Sequence, residues 1–155
     1  MDMAEYAKGT TVSAAKSRAE IEEQLGRFGA DGFMSGRDGR NVVLAFKAHG
    51  RQIMFRMTAP DPADFGKTPT GKLRSATDAK KAAEAEDRRM WRALALSIKA
   101  KLVGVSDGIE TFEQAFLAHV VMPDGFTLGD HVTPKIAAAY ESGQMPALLP
   151  PPPSS

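Results

Sequence analysis

The chain has 155 residues, a near-neutral net charge of +1, 43% hydrophobic residues and no cysteine. This length and composition fit one globular domain with a real core. The missing thiols exclude disulfides and cysteine-based zinc sites. No stretch approaches the roughly 18 apolar residues of a membrane span. The opening MDMAEYAKG holds two acids and no apolar run, so it does not read as a signal peptide.

Residues 1–12 are expected to form an arm or a short edge strand, with Thr10, Thr11 and Val12 favouring extension. Ser13 can cap a helix from Ala14 to Phe28, with Ile21, Leu25 and Phe28 facing inward, and Gly29 supplies a left-handed residue to end it. A β meander follows. Gly32–Gly36 reads as a short strand, Arg37-Asp38-Gly39-Arg40 as a turn, and Asn41–Ala48 as the second strand. His49-Gly50 is a two-residue turn before a third strand, Arg51–Thr58. Val42, Leu44, Phe46, Ile53, Phe55 and Met57 alternate onto one face. Val43, Ala45, Lys47, Gln52, Met54 and Arg56 fall on the other, so one face packs and the other stays wet.

Residues 59–76 show no periodicity and are expected to form a long mobile loop. Thr77 or Asp78 is the expected cap of a long helix running through Val103 and ending at Gly104. Within it, Trp91, Leu94, Ala95, Ile98 and Leu102 lie at i, +3, +4, +7 and +11, one stripe suited to cover the sheet. Thr111-x-x-Gln114 has the form of a capping box opening a helix over Phe112–Val121. Met122-Pro123-Asp124-Gly125 reads as a turn, and Thr133-Pro134 as the start of a last helix, Lys135–Ser142, closed by Gly143. Residues 146–155 are a proline-rich tail expected to be poorly ordered. The expected fold is therefore α+β: an N-terminal helix, a three-stranded antiparallel meander, a long amphipathic helix, two short helices and the tail, with residues 13–145 as one domain.

Catalytic constellations fail. Gly66-Lys67-Thr68 has the end of a phosphate-binding loop, but Asp61 stands where that loop needs its first glycine. Asp64-Phe65-Gly66 matches a kinase tripeptide without any other kinase element. His49, His119 and His131 are scattered rather than paired on one element, as a metal site would want. Asp61 has no later Glu-x-Lys partner for a nuclease-like site. The chain reads as a non-enzyme with no cofactor.

Charge is unevenly placed. Residues 67–109 hold ten basic and five acidic side chains, whereas residues 110–155 hold one basic and five acidic. Such a basic block can bind a polyanion even in a near-neutral chain, although a solvated helix face accounts for it equally well. If the long helix crosses the sheet, Lys47, Arg51 and Arg56 from the wet face, Lys67, Lys72 and Arg74 from the loop, and Arg88, Arg92 and Lys99 from the helix can line one groove. These nine are the expected nucleic-acid contacts, binding phosphates with little sequence choice.

The run Glu20–Gly36, EIEEQLGRFGADGFMSG, resembles the opening of the phage and eukaryotic single-strand annealing proteins. There a helix ends in a Phe-Gly-x-x-Gly-aromatic turn, here Phe28-Gly29-Ala30-Asp31-Gly32-Phe33. Three antiparallel strands, an irregular basic segment and a long basic helix follow in both. The resemblance covers residues 13–104. It implies a homo-oligomer, a ring or filament, with single-stranded DNA in a basic groove, and a role as a recombination or annealing accessory in the cytoplasm of a bacterial host. The meander is shorter than in that superfamily, and residues 109–149 have no counterpart there. TFEQAFLAHVVMPDG and MPALLP are similar to segments of small uncharacterised proteins of phages and integrated elements. Two other classes stay open. One is an interaction module that binds or inhibits a host protein through an apolar patch of Phe112, Phe116 and Val120. The other is a virion structural component. Self-association is expected through an exposed edge, Arg51–Thr58 or the Thr10–Val12 arm.

Overall fold

The computed structural model describes residues 7–154. The order is α1 (Ala14–Phe28), β1 (Gly32–Asp38), β2 (Asn41–Ala48), β3 (Arg51–Thr58), α2 (Ala76–Ser106), α3 (Phe112–Phe116) and α4 (Leu128–Ser142). The three strands form one antiparallel sheet in the order β1-β2-β3. This is the expected α+β architecture. Among the described residues no helix is long and apolar enough to cross a membrane.

Local chemistry sets most boundaries. The Ser13 hydroxyl accepts the Lys16 N–H at 3.1 Å, and Gly29 ends α1 at φ 105° with its N–H on the carbonyls of Leu25 and Gly26. Of the expected arm, residues 1–6 lie outside the described residues. Thr10–Val12 makes no strand: Thr10 N–H bonds Ala7 O at 3.1 Å and Val12 N–H bonds the Thr10 hydroxyl at 3.2 Å. β1 runs two residues beyond Gly36, because Arg37↔Val42 and Asp38↔Asn41 continue the ladder. β2 and β3 have the expected limits. His49 and Gly50 both take positive φ, 52° and 71°, as the hairpin turn requires. The His49 ring is held between Phe28 and Phe112, at centroid distances of 5.5 and 4.9 Å.

The core forms on the expected sheet face. Val42, Leu44, Phe46, Ala48, Ile53 and Phe55 pack with Ile21 and Leu25 of α1, with Trp91, Leu94, Ala95, Ile98 and Leu102 of α2, and with Phe112 and Phe116 of α3. Trp91 is 6% exposed. Burying each of the larger side chains contributes about 1.5–3 kcal/mol. α1 and α2 run side by side over this face.

Four helix limits differ from expectation. α2 is capped by Ser75, whose hydroxyl accepts the Asp78 N–H at 3.1 Å, and not by Thr77 or Asp78. It also passes through Gly104. That glycine is buried, and a Cβ there would lie 3.2 Å from a carboxylate oxygen of Glu110. Its role is to let the following loop approach; the left-handed residue beyond the helix is Gly108, at φ 74°.

The Thr111–Gln114 capping box forms, but α3 stops at Phe116. A single 3₁₀ turn, Leu117–His119, releases the chain to pair Val120 with Ile53. α4 begins at Leu128, not Lys135. Thr127 accepts the Asp130 N–H at 3.2 Å, and Asp130 accepts the Thr127 N–H at 2.9 Å. Pro134 therefore lies inside the helix, and Gly143 closes it at φ 71°.

The segment between β3 and α2 carries its own turns. Asp61 caps a 3₁₀ turn, Pro62–Phe65. Residues 66–74 fold into a small hairpin through Thr68 N–H to Lys72 O (2.7 Å) and Arg74 N–H to Gly66 O (2.9 Å).

Candidate functional site

The nine cations do not assemble into one groove. Side chains alternate across a sheet, so Lys47 and Arg56 project from the face opposite the core. α2 packs on the core face. The sheet therefore stands between Lys47 and Arg56 on one side and Arg88, Arg92 and Lys99 on the other. Arg51 was expected on the wet face, yet it pairs with buried Ala48 across the hairpin. It projects toward α3 and donates to Glu113 at 2.7 Å.

Several of these charges already have partners. Arg56 donates to Asp130, and Arg92 donates to Glu20. Neighbouring Arg89 donates to Glu86 at 2.8 Å. Arg74 turns inward and donates to the carbonyls of Phe65 and Lys67 at 3.2 and 2.7 Å, holding the 66–74 hairpin closed. Among the described residues, Lys47, Lys67, Lys72, Arg88 and Lys99 have no carboxylate within ion-pair distance. They occupy separate surfaces. Arg88 borders a recess of about 430 Å³ with Arg37, Lys80, Glu84 and Asp87. Lys99 borders another, of about 520 Å³, with Arg27 and Asp107. Lys67 and Lys72 are exposed on the hairpin, one turn ahead of exposed Lys80 and Lys81 on α2.

A cleft of about 460 Å³ between β3 and α4 has no counterpart in the sequence reading. Met54, Arg56, His119, Thr127, Gly129, Asp130 and Thr133 are among its walls. Gly129 permits the contact: a Cβ there would stand 2.8 Å from the Ala118 carbonyl oxygen. The Thr127 N–H, together with Arg56, holds the Asp130 carboxyl below its usual range. Burial, with repulsion from Lys101, pushes the His119 imidazole below its ordinary value, against a hydrogen bond to the Met54 backbone. The cleft thus contains a carboxylate already neutralised by an arginine and a histidine biased to the neutral form. That arrangement fastens α4 to the sheet edge. His131 is engaged elsewhere, with Asp124 at 2.7 Å, and no group of three metal-ligating side chains converges among the described residues.

Beyond Pro134, the last α4 residue in that cleft, most of α4 is exposed. None of its fifteen residues is buried. Ile136 is 48% exposed and Tyr140 89%. Val132, Ile136, Ala139 and Tyr140 stand at i, +4, +7 and +8, an apolar stripe whose Val132 and Ala139 are half-buried and whose Ile136 and Tyr140 are exposed. Exposed Met145, Leu148 and Leu149 follow. The apolar patch expected from Phe112, Phe116 and Val120 is not on the surface. Phe112 and Phe116 are core residues, Phe116 at 0% exposure, and Val120 is packed against them. Nor is the outer edge of β3 open along its length, because Val121 N–H bonds Gln52 O at 2.8 Å beside the Ile53–Val120 bridge.

The Thr127-x-x-Asp130 box was present in the sequence, but Thr133-Pro134 offered a competing helix start. Comparison of the chain with protein-family models, curated proteins and solved structures gave no match. The likeness to single-strand annealing proteins therefore stands on the order of elements and on residues 28–33.

Proposed function

We propose that the chain is a protein-interaction module, of the kind encoded by phages and integrated elements, which acts by binding rather than by catalysis. Its docking element is α4 with the segment that follows. One observation carries this reading: α4 buries none of its residues yet keeps an apolar stripe through Val132, Ile136 and Tyr140. Helices of this length draw most of their stability from packing such a stripe, and an amphipathic helix laid in a partner's groove is a recurrent mode of recognition. A host protein in the bacterial cytoplasm is the proposed partner.

Nucleic-acid binding is the second reading, and the 66–74 hairpin supports it. Lys67, Lys72, Lys80 and Lys81 are all exposed around the start of α2, so in this reading phosphate contact centres there and not on a sheet groove. In this reading the protein is a single-stranded DNA accessory.

A photo-crosslinking residue at Tyr140, in the chain expressed in its own cells, separates the two. The expected result is a nuclease-resistant adduct with a defined protein, lost on Ile136→Glu. No protein adduct, together with salt-dependent binding of a labelled single strand that Lys67→Glu and Lys72→Glu abolish, overturns the first reading in favour of the second.

A further inference from the structure

The two outer edges of the sheet are treated differently. The β3 edge is covered by Val120–Val121. Among the described residues no backbone hydrogen bond reaches β1 from outside the sheet. Exposed edges are usually blunted by charged side chains, especially lysine, by proline or by a bulge, and the charges of β1 stand only at its end, Arg37 and Asp38. β1, GFMSGRD, has no lysine or proline, and its seven pairs with β2 run without interruption. Met34, its third residue, is 58% exposed.

We propose that β1 pairs antiparallel with β1 of a second copy of this chain, making one six-stranded sheet with Met34 beside Met34 on the two-fold axis. An axis normal to the sheet keeps each face continuous, so paired residues share parity and the axis passes through one residue of β1. Centring it on Met34 sets Asp31 opposite Arg37 of the other copy, twice. It also sets Gly32 opposite Gly36. Centring it on Phe33, Ser35 or Gly36 brings no opposite charges together.

Asp31 and Arg37 are both exposed, and Arg37 uses its Nε on Gly39 O at 2.7 Å, leaving its other nitrogens free for a carboxylate. Gly32 and Gly36 share the open face with Met34. A Cβ on Gly36 would meet nothing within 4 Å, whereas one on Gly32 would touch the Lys47 side chain at 3.7 Å, so the paired glycines leave open space over Gly36, flanked by the Lys47 methylenes beside Gly32. Charge and shape thus select one register for one occupant. The contact is small, which predicts a concentration-dependent dimer and not a permanent one.

The register makes the test specific. Asp31 and Arg37 lie six residue steps apart along the strand, about 20 Å, too far for the two to pair within one chain. In sedimentation of the full chain, Asp31→Arg or Arg37→Asp alone is expected to weaken dimerisation by about tenfold or more, and the double exchange to restore it to within about threefold. The native chain has no cysteine. Met34→Cys is therefore expected to give a covalent dimer on mild oxidation, since Cα atoms across an antiparallel pair lie at disulfide distance. Ser97→Cys, exposed on α2, is expected not to. The proposal is overturned by a chain that stays monomeric at hundreds of micromolar. It is equally overturned by association that the single reversals leave unchanged, by a double exchange without rescue, or by failure of Met34→Cys to link. These outcomes do not depend on α4 and leave the α4 reading untouched.

Discussion

The imidazole of His119 lies over the ring of Phe55, with centroids 4.1 Å apart and 24° between the planes. It does so where the chain leaves α3 and joins the edge of β3. Burial there lowers the pKa of His119. The unfolded chain thus takes up a proton near pH 6.5 that the folded chain still resists. This contribution to stability is complete above the unfolded value, declines as pH falls below it, and levels off once the folded value is passed. Urea midpoints between pH 8 and 5 are expected to fall for the native chain. His119→Gln is expected to show a shallower decline over the same range.

The start of α4 predicts a contrast between two threonines. Thr127 is the cap and is buried; Thr133 is an exposed residue inside the helix. Thr127→Ala is expected to cost about 1 kcal/mol in denaturant unfolding. Thr133→Ala is expected to stay within about 0.5 kcal/mol of the native value. Equal effects would move the helix start back to Thr133.

Gly129 tests the seat of that helix. Its ideal Cβ would lie 2.8 Å from the backbone oxygen of Ala118, an atom that cannot rotate away. Gly129→Ala is expected to destabilise the fold by about 1–3 kcal/mol, as overpacking does, despite the better helix propensity of alanine. A neutral or stabilising result in a thermal melt would show that α4 does not rest on the 3₁₀ turn.

Ser17 offers the opposite sign. It is fully buried on the inner face of α1, and among the described residues its hydroxyl has no hydrogen-bond partner. Removing an unpaired buried hydroxyl from a helix is favourable on two counts, desolvation and propensity. Ser17→Ala is expected to stabilise the chain by about 1–2 kcal/mol in urea unfolding.

Local patterns made the fold readable. Strict alternation and the Asp-Gly and His-Gly turns set the β hairpins, and the stripe from Trp91 to Leu102 identified the face of α2 that covers them. Helix ends were harder, because Gly104 and Pro134 act in the structure through contact and position rather than as stops. The cation groove failed for a different reason. Glu20 lies 72 residues from Arg92, Glu113 lies 62 from Arg51, and Asp130 lies 74 from Arg56. A count of charge along a segment cannot see a carboxylate delivered from another element. Two constraints were available nonetheless. Arg51 and Gln52 are adjacent in a strand and cannot share a face. A helix that covers one side of a sheet also cannot share a channel with side chains on the other.

The seating of Gly129 on Ala118 also fixes how Tyr140 is presented. From that contact the helix extends roughly 16 Å to Tyr140, at 1.5 Å per residue. Its base is fastened to β3 through Asp130 and Arg56. The aromatic ring is therefore set at a defined distance from the sheet edge. The proposed partner would meet the ring at that fixed remove from the sheet, with Ile136 one helical turn closer to the base.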